Sequence, residues 1–580
     1  MTTNRSRPSP RCPASLAAGA LLTLSSAAFA QGAPPPAAPA APPASPPAAP
    51  ALAAASPEQP SSAPSAQASS QGPSTGTLQP QPTGPVLVQD PADTPAPARA
   101  LFGQQQKYTP PLHVEPWGIK AQASFLLGVH VDRTTAFPVD RDLHSFDPGG
   151  ILTPVIRANA TIDTSVVRNN IQLHAEYEHD ILTGYAQAAQ PIAGSEMPGS
   201  QPIDQQLRKA YLRVSIGPNL HFGGGFMMNH FGLGLLANDG VQSSWTPGSA
   251  RFADSRGGDR VLRGFLATGP LTDAGLTATF AVDQVQGDDV LLAGDKAWQL
   301  VGTMSVGAGK PWGAGIFVVQ RQQDNAGGTR TNATVVDLTA RYAGVLPWVS
   351  YSLEGEAAFV NGDTTLGPTV EHPRHKVRQA AAAARFSVRR SYVGGVVDFL
   401  YASGDGNADD GSTTAFKADP NYEMGLLLYR QVIAAQTGRG AVTAANPDLV
   451  GVPSPGLERV PTRGSVTNTV ALFPRVYVRP TAGVEAYGGP LFAWAATPLL
   501  DPLNTRLGGG VPHNALDGKG GNFMGVELDV GARYRMLLWG TELTVGFEGG
   551  VLLPGDAFND ARGFAMGPVG GLRVLAGYRL

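Results

Sequence analysis

From Trp117 onward, hydrophobic and polar residues alternate with a period of two over many short segments. Between 171 and 178 the odd-numbered positions are apolar and the even-numbered ones polar, and between 209 and 216 the pattern is inverted. From Met524 to Met536 the alternation continues without a break. Since successive side chains of a strand point to opposite faces, these segments predict strands with one apolar face. The longest exceed a typical soluble strand and suit a tilted bilayer crossing.

Short turns and long polar loops separate the predicted strands in strict alternation. The predicted turns are Thr164–Val167, Gly217–Asn219, Gly269–Asp273, Gly307–Pro311, Gly344–Pro347, Arg389–Ser391, Pro480–Thr481 and Leu537–Gly540. The predicted loops are 133–149, 181–205, 230–258, 287–296, 324–331, 362–375, 404–464, 497–523 and 553–567. Short turns at one end and long loops at the other are typical of outer-membrane barrels.

One segment decides the number of strands. Tyr422–Gln436 is compatible with a strand, which gives nineteen, or with a helix inside one long loop, which gives eighteen. Eighteen keeps all short turns at one end and both termini in the periplasm. The sequence thus predicts an all-β fold over 113–580: a transmembrane, antiparallel, up-and-down β-barrel of about eighteen strands, with a long extracellular loop at 404–464.

The C-terminal residues fit a final barrel strand. Leu572, Val574, Ala576, Tyr578 and Leu580 form one apolar face that ends at the carboxyl terminus. Tyr578 and Leu580 are therefore predicted to form the signal that barrel-assembly machinery recognises, with Leu in place of the usual terminal Phe.

The N-terminal region predicts export. Residues 1–30 have a basic start, an apolar stretch from Leu16 to Phe29 and a small-x-small site at Ala28–Ala30, which together indicate a cleaved signal peptide. Residues 31–112 are rich in Pro and Ala and predict a disordered periplasmic linker. It is either a plain spacer or a tether to peptidoglycan or a periplasmic partner.

Composition narrows the possible functions. Charged residues make up 15% of the 580 positions and the net charge is −3, which gives no support to nucleic-acid binding. The only cysteine, Cys12, lies in the predicted signal peptide, so disulfide, thiolate-zinc and cysteine-nucleophile chemistry are excluded from the mature chain.

Charged residues on the polar face of each strand are predicted to line the lumen, because a lysine or arginine facing lipid at mid-depth costs roughly 2–4 kcal/mol. The predicted lining residues are Arg157, Glu176, Glu178, Lys209, Arg213, Asp337, Arg341, Glu354, Glu356, Arg385, Asp398, Arg475, Arg479, Glu527, Asp529, Arg533, Arg535, Glu542, Glu548 and Arg573. Two interpretations stay open: a selectivity lining that orients a solute, or cross-strand neutralisation, as between Glu542 or Glu548 and Arg533 or Arg535.

Other chemistry has weak support. The loop 405–411 has acidic or amide residues at alternate positions but lacks the glycine and the final glutamate of a calcium loop, so a solvated turn is predicted. The loop Glu371–His375 offers two imidazoles without a metal-site spacing. His174 with Glu176 is the one arrangement that an enzyme hypothesis could use. No cofactor, no metal and no enzymatic activity are predicted.

Two segments resemble a known family. Gly525–Asp529 (GVELD), followed by Leu552–Phe558 (LLPGDAF), and Tyr401–Gly411 (YASGDGNADDG) resemble the alginate-export family of outer-membrane barrels. Leu207–Leu212 (LRKAYL) with Gly223–Phe226 (GGGF) bears a fainter likeness to phosphate-selective porins. The resemblance implies a porin-like barrel, whereas an exporter of polyuronate would be expected to have an excess of basic residues along its path.

The sequence therefore predicts an outer-membrane channel for small polar or charged solutes, with oligosaccharide or polysaccharide as one solute class. Its partners would be outer-membrane lipid and the barrel-assembly machinery. The alternatives are a plugged structural or adhesive surface barrel and an outer-membrane hydrolase.

Overall fold

A computed structural model describes residues 112–114, 119–166, 170–183, 186–187, 204–240, 258–308, 310–366, 372–407, 410–454, 456–481, 483–538 and 541–580. The predicted signal peptide and the predicted linker up to residue 111 lie outside this part of the chain. The described residues form mostly long antiparallel strands.

Eighteen of the strands in the described ranges make one continuous sheet. In chain order they are β1 (Ile119–Thr134), β2 (Gly150–Val166), β3 (Ile171–Thr183), β4 (Asp204–Ile216), β5 (Leu220–Met228), β6 (Arg260–Leu271), β7 (Leu276–Gly287), β8 (Lys296–Val306), β9 (Trp312–Asp324), β10 (Arg330–Leu346), β11 (Val349–Thr364), β12 (His375–Arg390), β13 (Val393–Ala402), β14 (Thr469–Thr481), β15 (Val484–Ala495), β16 (Phe523–Leu538), β17 (Thr541–Pro554) and β18 (Val569–Arg579). Each pairs with its neighbour in sequence.

The sheet closes on itself because β18 pairs with β1, from Leu126 opposite Arg579 to Thr134 opposite Gly571. Connections alternate between short turns and long loops, as predicted: β8 ends one residue before the predicted turn Gly307–Pro311, and β9 begins one residue after it. The eighteen-strand antiparallel barrel is therefore confirmed. The start of β1 and the end of β18 lie at the same end as the short turns, here called the turn end; the opposite end is the loop end.

The outer face of the barrel is apolar. On β16, Leu528 and Val530 are 49% and 56% exposed, whereas Glu527 and Asp529, which alternate with them, are 0% and 2% exposed. Large apolar side chains are likewise exposed on strands around the whole barrel, such as Phe280 on β7 and Leu353 on β11. Since a monomer in water rarely exposes so extensive an apolar surface, the outer wall is built to contact hydrocarbon.

The segment that decided the strand count is helical. A π-helical turn, Leu428–Ile433, continues into helix α1 (Ala434–Ala444), followed by helix α2 (Pro447–Val450), all within the connection between β13 and β14. A third helix, α3 (Pro502–Leu507), lies in the connection between β15 and β16. No helix in the described part of the chain combines the length and apolarity needed to span a membrane.

The long loop between β13 and β14 folds into the barrel. Tyr422, Leu427, Tyr429 and Val432 of this loop are buried in one cluster with side chains of the wall. The wall contributes inward-facing residues near the loop end of β11–β18: Ala358, Ala381, Ala383, Leu400, Ala402, Ala471, Phe473, Leu491, Ala493, Ala495, Met524, Leu552 and Val569. The loop that the sequence predicted to be extracellular thus packs into the barrel interior at its loop end.

Alternation fails at two bulges. The register between β15 and β16 shifts between Ala493 and Trp494, so Met524, predicted to share the outer face, is fully buried. The register between β3 and β4 shifts after Glu178. There Arg208, which strict alternation places toward lipid, is fully buried. A bulge adds one residue to one strand and thereby reverses the faces beyond it.

Candidate functional site

Inward charges lie in the turn-end half of β11–β18, and two carboxylates there hold two arginines each. Asp398 on β13 accepts hydrogen bonds from Arg385 on β12, at 2.7 Å, and from Arg475 on β14. Glu485 on β15 does the same for Arg479 on β14 and Arg533 on β16, the latter at 2.9 Å.

This arrangement leaves positive charge in excess. Four guanidinium groups share two carboxylates across five adjacent strands, and arginine remains protonated at all relevant pH values. Within these six side chains the balance is +2, while Glu354 lies opposite Arg385 in the register.

The closing strands carry a second group. Arg573 on β18 donates to Asp132 on β1 at 2.6 Å and to Glu548 on β17 at 3.5 Å. Glu548 also accepts the hydroxyl of Tyr487 at 2.6 Å. Arg535 on β16 pairs with Glu542 on β17. Here two arginines pair with three carboxylates across neighbouring strands, and Arg535 with Glu542 is one of the pairs that cross-strand neutralisation predicted.

On β2–β4, acidic and basic side chains form a continuous network. Arg157 donates to Asp180 at 2.9 Å, and Arg208 donates to Glu178 at 2.7 Å. Arg208 also donates to the main-chain carbonyl of Asp239 at 2.6 Å, which ties the wall to the loop between β5 and β6.

Lys209 completes this network through Glu176 at 3.0 Å. Arg208, Asp180, Asp132 and Glu485 were missed in the sequence. The sequence did contain a signal for Arg208. Strict alternation places this arginine toward lipid, and the free-energy cost of that position indicates that the alternation breaks there.

Two predicted lining carboxylates instead bind loop backbone. Glu527 accepts the main-chain N–H groups of Leu426, of Leu427 at 2.7 Å and of Leu428 at 2.8 Å, at the start of the helical segment. A carboxylate suits this position because the first N–H groups of a helix have no partner within the helix.

Glu356 has the same role for the loop between β5 and β6. It accepts the N–H groups of Leu233 and, at 3.0 Å, of Leu235, which is fully buried. Each anchor has a second buried carboxyl beside it: Asp337 next to Glu356 and Asp529 next to Glu527.

His174 lies in a hydrogen-bonded chain of side chains. Its Nδ1 is 2.7 Å from Asp163, its Nε2 is 3.3 Å from the Tyr211 hydroxyl, and that hydroxyl donates to Glu176 at 2.8 Å. Arg213 lies opposite His174 in the register. The described contacts of His174 are thus side chains of the wall that hold each other in place.

Water reaches the turn-end half of the interior. The side chain of Asp163 is 49% exposed and that of Arg385 is 32% exposed. Arg341 and Glu354 lie opposite each other on β10 and β11, and both are partly exposed. By contrast, the wall residues that contact the long loop are almost completely buried.

Metal-binding potential is confined to a loop. In the part of the chain that the structure describes, one group of three potential ligands lies close together, formed by Asp140, Asp142 and His144. Asp140 is committed to hydrogen bonds with His144 and with Arg439, at 2.9 Å. Although burial opposes it, these bonds hold the pKa of Asp140 below its ordinary value. Of the loop Glu371–His375, the residue Glu371 lies outside the described ranges.

No protein-family model matches the chain, and no curated protein matches it in sequence. The resemblance to the alginate-export family is therefore not confirmed. The chain is similar to the solved structure of Pseudomonas aeruginosa OccK2 (OpdF) in complex with glucuronate, at 10% identity over 81% of this chain and 99% of that chain, with a TM-score of 0.45. It is also similar to P. aeruginosa OccK5 (OpdH), at 10% identity, 79% and 98% coverage and a TM-score of 0.46. For Acinetobacter baumannii OccAB1 the values are 8%, 79%, 96% and 0.44.

Proposed function

We propose that this chain is an outer-membrane channel that passes small polar or charged solutes, with a preference for anions. One observation carries the proposal: a closed wall that is apolar outside holds arginines inside, two to a carboxylate, and the side chain of Arg385 among them is 32% exposed to water. Such a lining attracts anions while the remaining carboxylates restrict how they pass. The loop between β13 and β14 narrows the passage at the loop end.

The rest of the proposal concerns the location of each part of the chain in the cell envelope. A signal peptide at 1–30 is cleaved, the linker at 31–112 extends in the periplasm, and both termini of the barrel face that compartment. Barrel-assembly machinery binds the final strand through Tyr578 and Leu580. The linker contacts peptidoglycan or a periplasmic partner. The alginate-export resemblance supports the barrel architecture, and the paired charges favour small anions over a polyuronate chain.

Planar-bilayer recording tests this function. The purified full chain should give discrete conductance steps and, in a KCl gradient, a zero-current potential of the sign that indicates anion preference. A chain that inserts but conducts no current above background would overturn the channel proposal and favour a plugged surface barrel.

The plugged alternative rests on the loop inside the barrel. Replacing residues 423–450 with a short Gly-Ser linker should raise the conductance about threefold, because the helical segment occupies interior space. The matched control shortens 325–329, a loop of few residues between β9 and β10. If the variant that lacks residues 423–450 conducts and the native chain does not, the native barrel is plugged by this loop.

A further inference from the structure

A cavity of about 320 Å³ lies between three of the long loops. It is formed by the loop after β1, by helices α1 and α2, and by the connection that carries α3. This volume is at the lower end of the range for small-molecule sites. None of the lining residues belongs to the charged wall described above.

Asp501, a carboxylate that lines this cavity, forms no ion pair with the residues that the structure describes. Asp501 is only 6% exposed, and its Oδ1 accepts the N–H of Asn504 at 2.9 Å as the N-cap of α3. Among the described residues, no lysine, arginine or histidine forms an ion pair with Asp501. Its second oxygen lies against Gly440 of α1, where a methyl group would collide with it. The glycine thus leaves room for the carboxylate at the cavity edge.

The other charges of the cavity confirm a local negative excess. Arg439 pairs with Asp140 at 2.9 Å, and Arg141 pairs with Asp517 at 3.3 Å. Both arginines are thereby neutralised. Within the described part of the chain, Asp142 joins Asp501 as a cavity carboxylate without an ion-pair partner.

The remaining cavity wall contains three leucines beside Thr443 and Asn504. Leu503 is buried in the floor, whereas Leu449 and Leu507 are 57% and 62% exposed at the rim. Hydrocarbon that covered these two side chains would remove apolar surface from water. A bare divalent cation would gain nothing from them, since it binds oxygen ligands.

We propose that this cavity binds a small organic cation, namely a primary ammonium group attached to a short apolar body. Asp501 and Asp142 accept the hydrogen bonds of the ammonium group, and Leu449, Leu503 and Leu507 contact the apolar body. The site is independent of the proposed channel function, because ligand binding between the loops requires no conduction.

Calorimetric titration of the purified full chain in a non-ionic detergent tests the site. The probe is benzylammonium chloride, with benzyl alcohol as its neutral isostere and calcium chloride as the metal alone. We expect saturable binding of one benzylammonium per chain, no saturable binding of benzyl alcohol, and no displacement by calcium. Equal binding of the alcohol, or displacement by calcium, would overturn the proposal.

Two variants locate the binding. Asp501→Asn retains an N-cap side chain for α3 and removes the charge, so affinity should fall about tenfold. Gly440→Ala keeps every charge but displaces the carboxylate, and should weaken binding comparably. Asp324→Asn is the matched control and should bind like the wild type: this exposed carboxylate ends β9 and pairs with Arg330 at the start of β10, away from the cavity. Unchanged affinity in both cavity variants, with wild-type heat-modifiable gel migration, contradicts the assignment.

Discussion

Two sets of buried carboxylates, one near each end of the barrel, differ in the groups that bind them. At the turn end, Asp398 and Glu485 hold arginines of neighbouring strands. At the loop end, Glu527, Glu356 and Asp501 accept main-chain N–H groups of loops and helices. The first arrangement holds two arginines on each carboxylate, with Arg385 partly exposed to water, and the second fixes backbone inside the barrel or between its loops. An inward-facing carboxylate is therefore not by itself a lining residue.

The largest expected effect comes from comparing an arginine substitution in the loop-end half of β12 with the same substitution in its turn-end half. Ala383 and Ser387 both face inward on β12, but Ala383 is 4% exposed within the loop cluster. Ala383→Arg should expel the loop, since an unpaired buried charge is strongly destabilising. Trypsin cleavage after Arg430, which is 3% exposed in the native protein, should then accelerate about a hundredfold.

Ser387→Arg is the control for that substitution. It adds a charge to the water-exposed half, so cleavage after Arg430 should stay at the native rate. Rapid cleavage in both variants, or in neither, would show that the two halves do not differ as described.

A smaller effect is expected from the anchor of the loop. Glu527→Gln keeps the size of the side chain but removes the charge that three N–H groups share, and a charge-assisted hydrogen bond contributes about 1.5–3 kcal/mol. Cleavage after Arg430 should accelerate about tenfold. Glu542→Gln, on the turn-end half of β17, should leave it unchanged.

The sequence predicted the barrel because alternation and loop lengths are local properties of the chain. Its strand number and its alternation of short turns with long loops are confirmed, although several turns begin a few residues later than predicted. The segment predicted to be helical at Tyr422–Gln436 is helical from Leu428 and continues to Ala444. It did not predict that Glu356 and Glu527 bind loops, since a polar residue between apolar neighbours looks the same whether water or backbone lies opposite. A signal was nevertheless present: Ala381 and Ala383 give β12 two apolar faces near its loop end, which indicates burial on both sides.

The bulges and cross-strand partners were harder to predict. Met524 and Arg208 are displaced from their predicted faces by single extra residues, and nothing in a single sequence fixes where such a residue is inserted. Glu485 was not predicted to line the interior because it directly follows a turn, where alternation does not yet assign a face. In the structure it pairs with two arginines.

A change of pH tests the loop-end set of carboxylates through Asp501, which forms no ion pair with the described residues. Burial raises the pKa of Asp501 to about 6, against the hydrogen bonds from the backbone. The raised value means that the folded chain holds this proton more tightly, so the charge is absent well below pH 6 and present above it. Benzylammonium affinity should therefore be about fivefold weaker at pH 5 than at pH 7.5. In Asp501→Asn the same change of pH should have little effect, and an equally steep dependence there would assign the proton to another group.

The smallest effect tests whether the arginines of the turn end select solutes or only neutralise the wall. Arg385→Gln removes one positive charge from a water-exposed position, while Arg475 still pairs with Asp398, so no carboxylate loses its last partner. The anion-to-cation permeability ratio should fall about twofold, measured as a shift of the zero-current potential in a KCl gradient. Arg330→Gln is the matched control, because Arg330 forms an exposed ion pair with Asp324 at the strand ends. This substitution should leave the permeability ratio unchanged. Removing a charge that water and solute reach must alter the electric field that a passing ion experiences. An unchanged permeability ratio in Arg385→Gln would therefore mean that these arginines only neutralise carboxylates of neighbouring strands.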